Sequence, residues 1–415
     1  MTIPRRAMKR LMVYSHDTYG LGNARRMLSI CEHLSREMPE LTILFVTGSP
    51  MAHGFRLAPR LDYIKLPSLT RAGSEDYAVK SLDMKISEAI RLRSDLILAA
   101  AANFKPDLLL VDKKPFGVKN ELGATLKYLE ANLPAARRAL VLRDILDAPE
   151  ETIRVWERQR YSAAIESFYD LVLVLGDPSV FDPRAEYRFS KAVSDRVRFC
   201  GYLKRGAGDK CRAEVRAEMR LSDQDKLALV TVGGGQDGYR LLAAYLEGLD
   251  LASARRGLHS LIFSGPEMAR AQRESLLQAA ASRPEVRVPE FTDDLMSYMD
   301  AADVVVSMGG YNTICEILSL RKKSVIVPRC RPVREQLIRA ERMSRLNLFK
   351  MIHPDQLTAR RLMNTLLEQL DCEQESAPLF ELEAQSQVAH WVSSLLYPGS
   401  AGILACLPPE VKSGK

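Results

Sequence analysis

The sequence has no long apolar run. None of its 415 residues belongs to a stretch of the roughly 20 apolar residues that a membrane-spanning helix requires. The basic start, residues 1–10, precedes only the short apolar run 11–15, whereas a signal peptide needs a longer apolar region and a small-residue cleavage site. We therefore expect neither a membrane-spanning segment nor a signal peptide.

Cysteine and metal-binding motifs are also sparse. The seven cysteines are scattered, odd in number and never in C-x-x-C spacing, and no H-E-x-x-H run is present. A disulfide framework and a zinc site are therefore not expected, and a reducing cytoplasm is the natural environment. We expect no bound metal and no cofactor.

Size and charge narrow the class of protein further. A chain of 415 residues is too long for one ordinary core, so two domains are expected. The formal net charge of +7 suits phosphorylated ligands, nucleic acid or an anionic membrane surface. No nucleic-acid partner is predicted, because the arginines are dispersed rather than clustered with stacking aromatic side chains.

Short apolar runs alternate with longer amphipathic stretches, which is typical of parallel sheets wound with helices. Strands are predicted at 11–15, 41–47, 61–66, 107–111, 139–143 and 171–175, and again at 227–232, 260–264, 286–288, 304–307 and 324–327. Helices are predicted at 24–38, 84–103, 239–249, 268–281, 311–320, 334–346 and 380–396.

A small, polar stretch at 205–209 has linker composition and interrupts this alternation. We therefore predict an α/β protein of two Rossmann-like domains that face each other across a cleft, at 1–205 and 206–375. A helix at 376–398 is expected to cross back, and a flexible tail is expected at 399–415.

The glycine-rich run 233–238 follows an apolar strand and opens a helix. Glycines let the backbone approach an oxyanion closely, and free amides at a helix start point at it, so a diphosphate is the expected ligand. A tight strand-to-helix turn is the other interpretation. Asp237 opposes a phosphate unless its side chain points away.

A second strand ends in glycines at 305–316, with the sequence VVSMGGYNTICE. Asn312 or Thr313 is expected to cap the helix that begins there. Glu316 lies on its first turns, where a carboxylate can accept two hydrogen bonds from a ribose diol. The alternative is a glutamate that only complements the helix dipole.

A third helix opens with Glu335 and Gln336, close to Arg329. Such side chains can bind sugar hydroxyls through paired donors and acceptors, or they can form an ordinary helix start. All three motifs follow strand ends of one domain, where open α/β sheets bind ligands.

Together these motifs resemble a known family. The runs 289–296 and 302–316, followed by Val327-Pro328 and Glu335-Gln336, resemble the donor-binding half of the peptidoglycan-precursor (undecaprenyl-PP-MurNAc-pentapeptide) N-acetylglucosaminyltransferase and its relatives, including diacylglycerol glycosyltransferases. The similarity extends over about residues 226–350. It implies a GT-B fold, a UDP-sugar donor bound by domain 206–375, an acceptor bound by domain 1–205, and inversion at the anomeric carbon without a metal.

The resemblance also implies roles for individual residues. It assigns the base to Phe291 and its neighbours, the ribose to Glu316, the diphosphate to Gly309, Gly310 and Thr313 with Asn312 beside them, the donor sugar to Glu335 and Gln336, and the cleft lining to Gly234 and Gly235.

The first domain resembles the family less closely. Its loop at 15–26, which includes Gly20 and Gly22, is similar to the family pattern G-x-G-H-x-x-R, but Asn23 stands where the pattern has histidine. Asparagine has no useful basicity, so either another residue supplies the catalytic base or the protein binds a nucleotide-sugar without catalysis.

Three residues are candidates for that base. His16 and Asp17 lie in the same loop, and Asp112 ends a buried strand that points at the cleft. Alternatively, His16 only bonds the backbone and Asp112 pairs with a neighbouring lysine. Asp144 ends another strand and has the same two interpretations.

The predicted function is transfer of a sugar from a UDP-sugar to the hydroxyl of an unknown acceptor. The alternatives are a nucleotide-sugar hydrolase, a 2-epimerase and a non-catalytic nucleotide-sugar-binding protein. Basic segments of the first domain at 80–93 and 113–119 could contact a lipid phosphate or the inner face of a membrane, although solvated surface is the simpler interpretation.

Overall fold

The computed structural model describes residues 7–16, 22–50, 57–71, 77–252, 257–373 and 382–398. Its first sheet has seven parallel strands in the order β3-β2-β1-β6-β7-β8-β9. The strands are β1 (Lys9–Ser15), β2 (Leu41–Thr47), β3 (Leu61–Lys65), β6 (Leu108–Asp112), β7 (Arg137–Arg143), β8 (Leu171–Leu175) and β9 (Val197–Phe199). The short strands β4 (Leu69–Arg71) and β5 (Tyr77–Val79) form a separate antiparallel pair.

A second sheet of six parallel strands has the order β12-β11-β10-β13-β14-β15. Its strands are β10 (Lys226–Thr231), β11 (Leu258–Phe263), β12 (Val286–Arg287), β13 (Val304–Ser307), β14 (Ser324–Ile326) and β15 (Lys350–Met351). The predicted division into two parallel-sheet halves is confirmed, while the boundary at residue 205 stays a prediction.

Helices surround both sheets. Those of the first half are α1 (Gly22–Glu37), α2 (Ile86–Phe104), α3 (Gly123–Asn132), α4 (Pro149–Arg158), α5 (Tyr161–Phe168), α6 (Pro183–Glu186) and α7 (Lys191–Ser194). Those of the second half are α8 (Arg212–Glu218), α9 (Tyr239–Leu249), α10 (Arg270–Ala280), α11 (Leu295–Ala301), α12 (Tyr311–Leu320), α13 (Glu335–Arg345) and α14 (Ala359–Asp371). The final helix is α15 (Ala384–Leu396).

The central strands are apolar along their whole length because helices cover both faces of each sheet. All five residues of β6 are buried, as are the five residues from Leu11 to Ser15 in β1. Such continuous apolar runs are typical of buried parallel strands. The eleven strands predicted from these runs are all present, and no end is displaced by more than two residues. The short strands β4, β5, β9 and β15 were not predicted, since runs of two or three residues carry no readable period.

The segment 205–209 is not the loose linker that its composition predicted. The amide of Arg205 donates to the hydroxyl of Ser319, and the amide of Asp209 donates to the carboxylate of Asp294. A side chain at Gly208 would overlap Ser297, so this glycine allows close packing against α11 rather than flexibility. The segment is therefore fixed to the second domain.

Helix α15 packs against α1 of the first domain, which confirms the predicted return of the chain. Gln385 bonds both backbone polar atoms of Lys204, and the hydroxyl of Tyr397 donates to Glu40 at 3.2 Å. The expected tail at 399–415 lies outside the described residues. Within the described ranges, no helix is both long enough and apolar enough to cross a bilayer.

A buried ion pair joins the two domains. The Nε and Nη2 atoms of Arg339 in α13 donate to the two carboxylate oxygens of Asp144, which follows β7, at 2.7 and 2.8 Å, and neither side chain is exposed. The Tyr202 hydroxyl donates to the same carboxylate at 3.1 Å. Both carboxylate oxygens of Asp144 are thus bonded at the domain interface. Asp144 is therefore not available as a catalytic base or to bind the acceptor, the two roles that its position at a strand end suggested.

We predict that Asp144→Asn lowers the free energy of unfolding by about 3 kcal/mol or more, because Arg339 would remain buried with only Glu335 as a counter-charge. Urea unfolding would measure the loss. The matched control is Asp195→Asn, which breaks a solvent-exposed pair with Lys191 and should cost no more than about 0.5 kcal/mol. Equal losses in the two variants would contradict a structural role for the buried pair.

Candidate active site

A cavity of about 380 Å³ lies between the carboxyl ends of the second sheet and the start of α1. The structure brings to it all ten residues that the sequence analysis assigned to the donor. They are Gly234, Gly235, Phe291, Gly309, Gly310, Asn312, Thr313, Glu316, Glu335 and Gln336. Gly22 and Asn23 of the first domain line the opposite wall. Asp17 and Gly20 lie outside the described residues.

The first glycine loop connects β10 to α9. Gly235 has φ +94°, and a Cβ there would lie 2.2 Å from the carbonyl oxygen of Ser264. Asp237 accepts a hydrogen bond from Nη1 of Arg329 at 3.1 Å. The positive charge of Arg329 therefore compensates the negative charge of Asp237. Asp237 then no longer opposes the binding of an anionic ligand at this loop.

The second glycine loop connects β13 to α12. Gly310 is the N-cap residue and no side chain caps the helix, so the predicted capping by Asn312 or Thr313 is wrong. Asn312 instead bridges the domains, with Nδ2 donating to the carbonyl of Gly22 and Oδ1 accepting from Arg205. The first residues of α12 line the cavity and their amides have no capping side chain, an arrangement that suits an anion at a helix start.

Glu316 is the most unusual carboxylate of the cavity wall. Its side chain is 1% exposed, and its Oε1 atom has no hydrogen-bond partner among the described residues. Arg25 of α1 lies 3.5 Å away, beyond hydrogen-bonding distance. Burial raises the pKa of Glu316, against the opposing effect of Arg25 and Arg205. A buried acceptor without a donor is costly, so this atom is suited to a ligand hydroxyl.

Glu335 and Gln336 open α13 on the next wall. Glu335 accepts from Nη2 of Arg339 at 2.8 Å and lies 3.3 Å from Nη1 of Arg143. Burial acts to raise the pKa of Glu335, but the positive charges of Arg143 and Arg339 lower it to about 2. The amide of Arg329 donates to Oε1 of Gln336, which fixes the orientation of that side chain.

Phe291 stands at the rim of the cavity with 56% of its surface exposed. It is one of the few large apolar side chains exposed to this degree among the described residues. An exposed aromatic ring at a cavity rim is suited to packing against a flat apolar group.

His16 and Asp112 lie together beneath the first-domain wall rather than on it. Nδ1 of His16 is 3.9 Å from Oδ2 of Asp112, and the side chains are 6% and 0% exposed. The other carboxylate oxygen of Asp112 accepts from Nη2 of Arg26 at 2.7 Å. That same Nη2 atom donates to Oδ1 of Asn23 at 3.0 Å. Asn23 is therefore connected through Arg26 to the candidate base.

Three arginines of the first domain also line the cavity, at positions 25, 26 and 143. The sequence analysis assigned no role to them. Arg25 and Arg26 lie within the recognised glycine-rich loop, so their position was visible, but their partners Glu316 and Asp112 are remote in sequence. Among the described residues, no cluster of three or more histidine, cysteine or acidic side chains could hold a metal ion.

The second half of the chain matches a known domain. Residues 228–391 match the model of the glycosyltransferase family 28 C-terminal domain. This protein has the GT-B fold, and its second half is similar to the glycosyltransferase family 28 C-terminal domain. Both glycine loops and Glu316 lie within the matched residues, and all of them border the cavity.

Two curated relatives illustrate the similarity. An uncharacterized glycosyltransferase of Methanopyrus kandleri is 23% identical over 235 residues, which are 56% of this chain and 62% of the relative. The UDP-N-acetylglucosamine–N-acetylmuramyl-(pentapeptide) pyrophosphoryl-undecaprenol N-acetylglucosamine transferase of Haemophilus influenzae is 28% identical over 151 residues, 36% of this chain and 41% of that enzyme. The matches thus span less than two thirds of either relative's length.

Two solved structures share the GT-B-like architecture over nearly the whole length. The glycosyltransferase of kitacinnamycin superposes with a TM-score of 0.61 at 17% identity, covering 94% of this chain and 100% of the other. The UDP-GlcNAc 2-epimerase of Methanocaldococcus jannaschii superposes with a TM-score of 0.60 at 10% identity, covering 92% and 99%. At these identities the similarity concerns the fold of the GT-B protein alone.

We predict that Gly235→Ala lowers the free energy of unfolding by about 3 kcal/mol or more. The reasons are a left-handed backbone, which costs a side chain about 1–2 kcal/mol, and overlap with a backbone oxygen. Gly233→Ala is the matched control, since Gly233 also has a positive φ of +65° but open space around its Cβ position. Urea denaturation would measure the free energy of unfolding of both variants. A larger loss in Gly235→Ala than in Gly233→Ala would show that overlap with Ser264 destabilises the fold beyond the cost of the positive φ.

Proposed function

We propose that this protein is an inverting, metal-independent glycosyltransferase that moves a sugar from a UDP-sugar to an acceptor hydroxyl. The observation that carries the proposal is the gathering of the ten motif residues around one cavity, where Glu316 presents a buried oxygen without a donor. The family 28 domain supports a sugar-transfer reaction. The similarity to the UDP-N-acetylglucosamine-dependent transferase of Haemophilus influenzae supports a UDP-linked donor.

The donor would bind through the second domain. The uncapped start of α12 and the glycine loop before α9 offer backbone amides to the diphosphate, and the helix dipole adds about half a positive charge. Glu316 would accept from the ribose hydroxyls, and Glu335 with Gln336 would bind the sugar. Preorganised amides can stabilise the charge of the departing UDP, which supports a reaction without a metal.

His16 is the proposed base. Burial lowers its pKa well below the ordinary value, and the positive charges of Lys113, Lys114, Arg26 and Arg143 lower it further. The imidazole is therefore neutral at neutral pH and able to accept a proton. With Nδ1 facing Asp112, Nε2 is the nitrogen that would take the proton of the acceptor hydroxyl, through one bridging water because the imidazole lies beneath the cavity wall. Asp112, paired with Arg26, is better suited to orienting His16 than to accepting that proton.

The replacement of the family's histidine by Asn23 does not remove this base, since His16 lies in the same region of the first domain. The attacking hydroxyl would approach from the first domain while UDP leaves toward the second, so the sugar carbon inverts. Closure of the two domains around the substrates would exclude water and protect the donor from hydrolysis. Contact of the first domain with a membrane surface stays a prediction.

We predict that Glu316→Ala weakens UDP binding about 10-fold to 100-fold, because a charged acceptor of ribose hydrogen bonds is lost. Isothermal calorimetry would measure the affinity. The wild-type protein should bind UDP more tightly than 2′-deoxy-UDP, and the variant should show a reduced preference.

The matched control for this variant is Glu274→Ala, which removes an exposed glutamate of α10 that pairs with Arg270. Its UDP affinity should equal that of the wild-type protein. Equal affinity of Glu316→Ala and wild type would remove Glu316 from the donor site.

We predict that incubation of the wild-type protein with UDP-sugars and a panel of hydroxyl acceptors gives UDP and a glycosylated product. His16→Ala should lose about 100-fold or more in rate while it retains UDP affinity, because only proton removal is affected. Chromatography of sugar and nucleotide products would measure both. His259→Ala, on β11 of the other domain, is the control and should retain activity.

Other product patterns would overturn the proposed transfer reaction. UDP release without a glycosylated product indicates hydrolysis, a changed sugar indicates epimerisation, and binding without turnover indicates a sensor. Unchanged turnover in His16→Ala would remove His16 from the mechanism without affecting the donor assignment.

A further inference from the structure

Arg26 occupies a central position between the two domains. Its guanidinium is nearly fully buried, and one nitrogen, Nη2, donates to both Asp112 and Asn23. Because this bond engages Oδ1 of Asp112, the carboxylate is held with its other oxygen toward His16. Without that bond the Asp112 carboxylate could rotate and present either oxygen to His16. Arg26 therefore sets the geometry of the His16–Asp112 pair.

Tyr311 of the second domain contacts Arg26 from the other side of the cleft. The guanidinium carbon of Arg26 lies 5.7 Å from the centroid of the Tyr311 ring, within the range of a cation–π interaction. The guanidinium of Arg339 lies 5.5 Å from the same centroid. The hydroxyl of Tyr311 donates to the carbonyl of Leu175 in the first domain at 3.1 Å, which anchors the ring in the interface.

The position of Tyr311 in the sequence gives this contact its functional meaning. It is the first residue of α12 and follows Gly309 and Gly310, which line the cavity. The Tyr311 ring and the Arg26 guanidinium therefore connect the start of α12 to the His16–Asp112 pair.

We infer that Arg26 and Tyr311 are positioning residues that couple the start of α12 to the His16–Asp112 pair. Arg26 holds Asp112, and Tyr311 holds Arg26. The inference rests on the proposed function in taking His16 as the base. Its test, however, needs neither donor nor acceptor.

The electrostatics around His16 give the sign of the expected effect. Among the described residues, the charged groups that act most strongly on it are Asp112 from β6, Lys113 and Lys114 from the loop after β6, Arg26 from α1 and Arg143 from β7. Loss of Arg26 removes a cation and leaves the carboxylate of Asp112 uncompensated. Both changes favour the protonated imidazole, so the titration midpoint of His16 should rise and the acid limb of kcat/KM against pH should move to higher pH.

NMR titration of ring-labelled histidine tests the inference directly. The chain has only six histidines, and the His16 signal is assigned by its disappearance in His16→Gln. In Arg26→Gln the proton dissociation constant of His16 should fall about tenfold. Tyr311→Leu should shift it in the same direction by a smaller factor, because Arg26 loses the ring that holds it. Tyr311→Phe keeps the ring over Arg26 and loses only the hydrogen bond to Leu175, so this matched control should shift the midpoint less than Tyr311→Leu does.

The double variant decides whether Tyr311 acts through Arg26. If it does, Arg26→Gln with Tyr311→Leu should titrate like Arg26→Gln alone. Additive shifts would overturn the link between the two residues, and an unchanged His16 midpoint in both single variants would overturn the inference as a whole. Should Arg26→Gln fail to fold, Arg26→Lys, which keeps the charge but not the planar fork, gives the same test with a smaller shift.

The titration of His16 can support or overturn the Arg26–Tyr311 connection independently of whether the protein is a glycosyltransferase. Calorimetry with UDP tests the donor site, and the titration tests the coupling. A protein that binds no UDP but shows the predicted shifts would retain the Arg26–Tyr311 connection and lose the transferase assignment.

Discussion

The interior of this protein is organised around the guanidinium of Arg339 and the carboxylate of Asp144, which meet across the domain boundary with no exposure to solvent. Removing two charges from water is expensive, and a buried pair often contributes little net stability. What such a pair does specify is a unique relative position. The same arginine also binds Glu335 and lies over the ring of Tyr311, so one cation fixes two walls of the cavity at once.

The second domain lines the cavity with backbone amides as well as with the side chains of Glu316, Glu335 and Gln336. Glycine loops end β10 and β13, helices begin immediately after them, and the start of α12 has no side-chain cap. The first domain lines the cavity with three arginines and Asn23, and the buried His16–Asp112 pair lies beneath them. This division is consistent with a leaving group held by amides and a proton removed by an imidazole on the opposite side.

The sequence predicted those parts of the structure that depend on local patterns. Buried parallel strands are apolar along most of their length, and glycine runs between strand and helix are recognisable, so the strands and the residues that line the cavity could be predicted. Contacts between distant residues could not. Asp144 and Arg339 are 195 positions apart, and Arg26 and Asp112 are 86 apart, so no local period links them. Asn312 was expected to cap its own helix because that preference is local, yet a carbonyl 290 positions away holds its amide.

The route of the chain constrains how the cleft can change. The backbone passes from the first domain to the second near Lys204, and it returns before α15, where Gln385 bonds both the amide and the carbonyl of Lys204. The two places where the chain passes between the domains therefore lie side by side. Away from this point the domains are joined by noncovalent contacts alone, such as the Arg339–Asp144 pair. A change in the angle between the domains would therefore move the walls of the cleft least beside Lys204 and most on the side farthest from it.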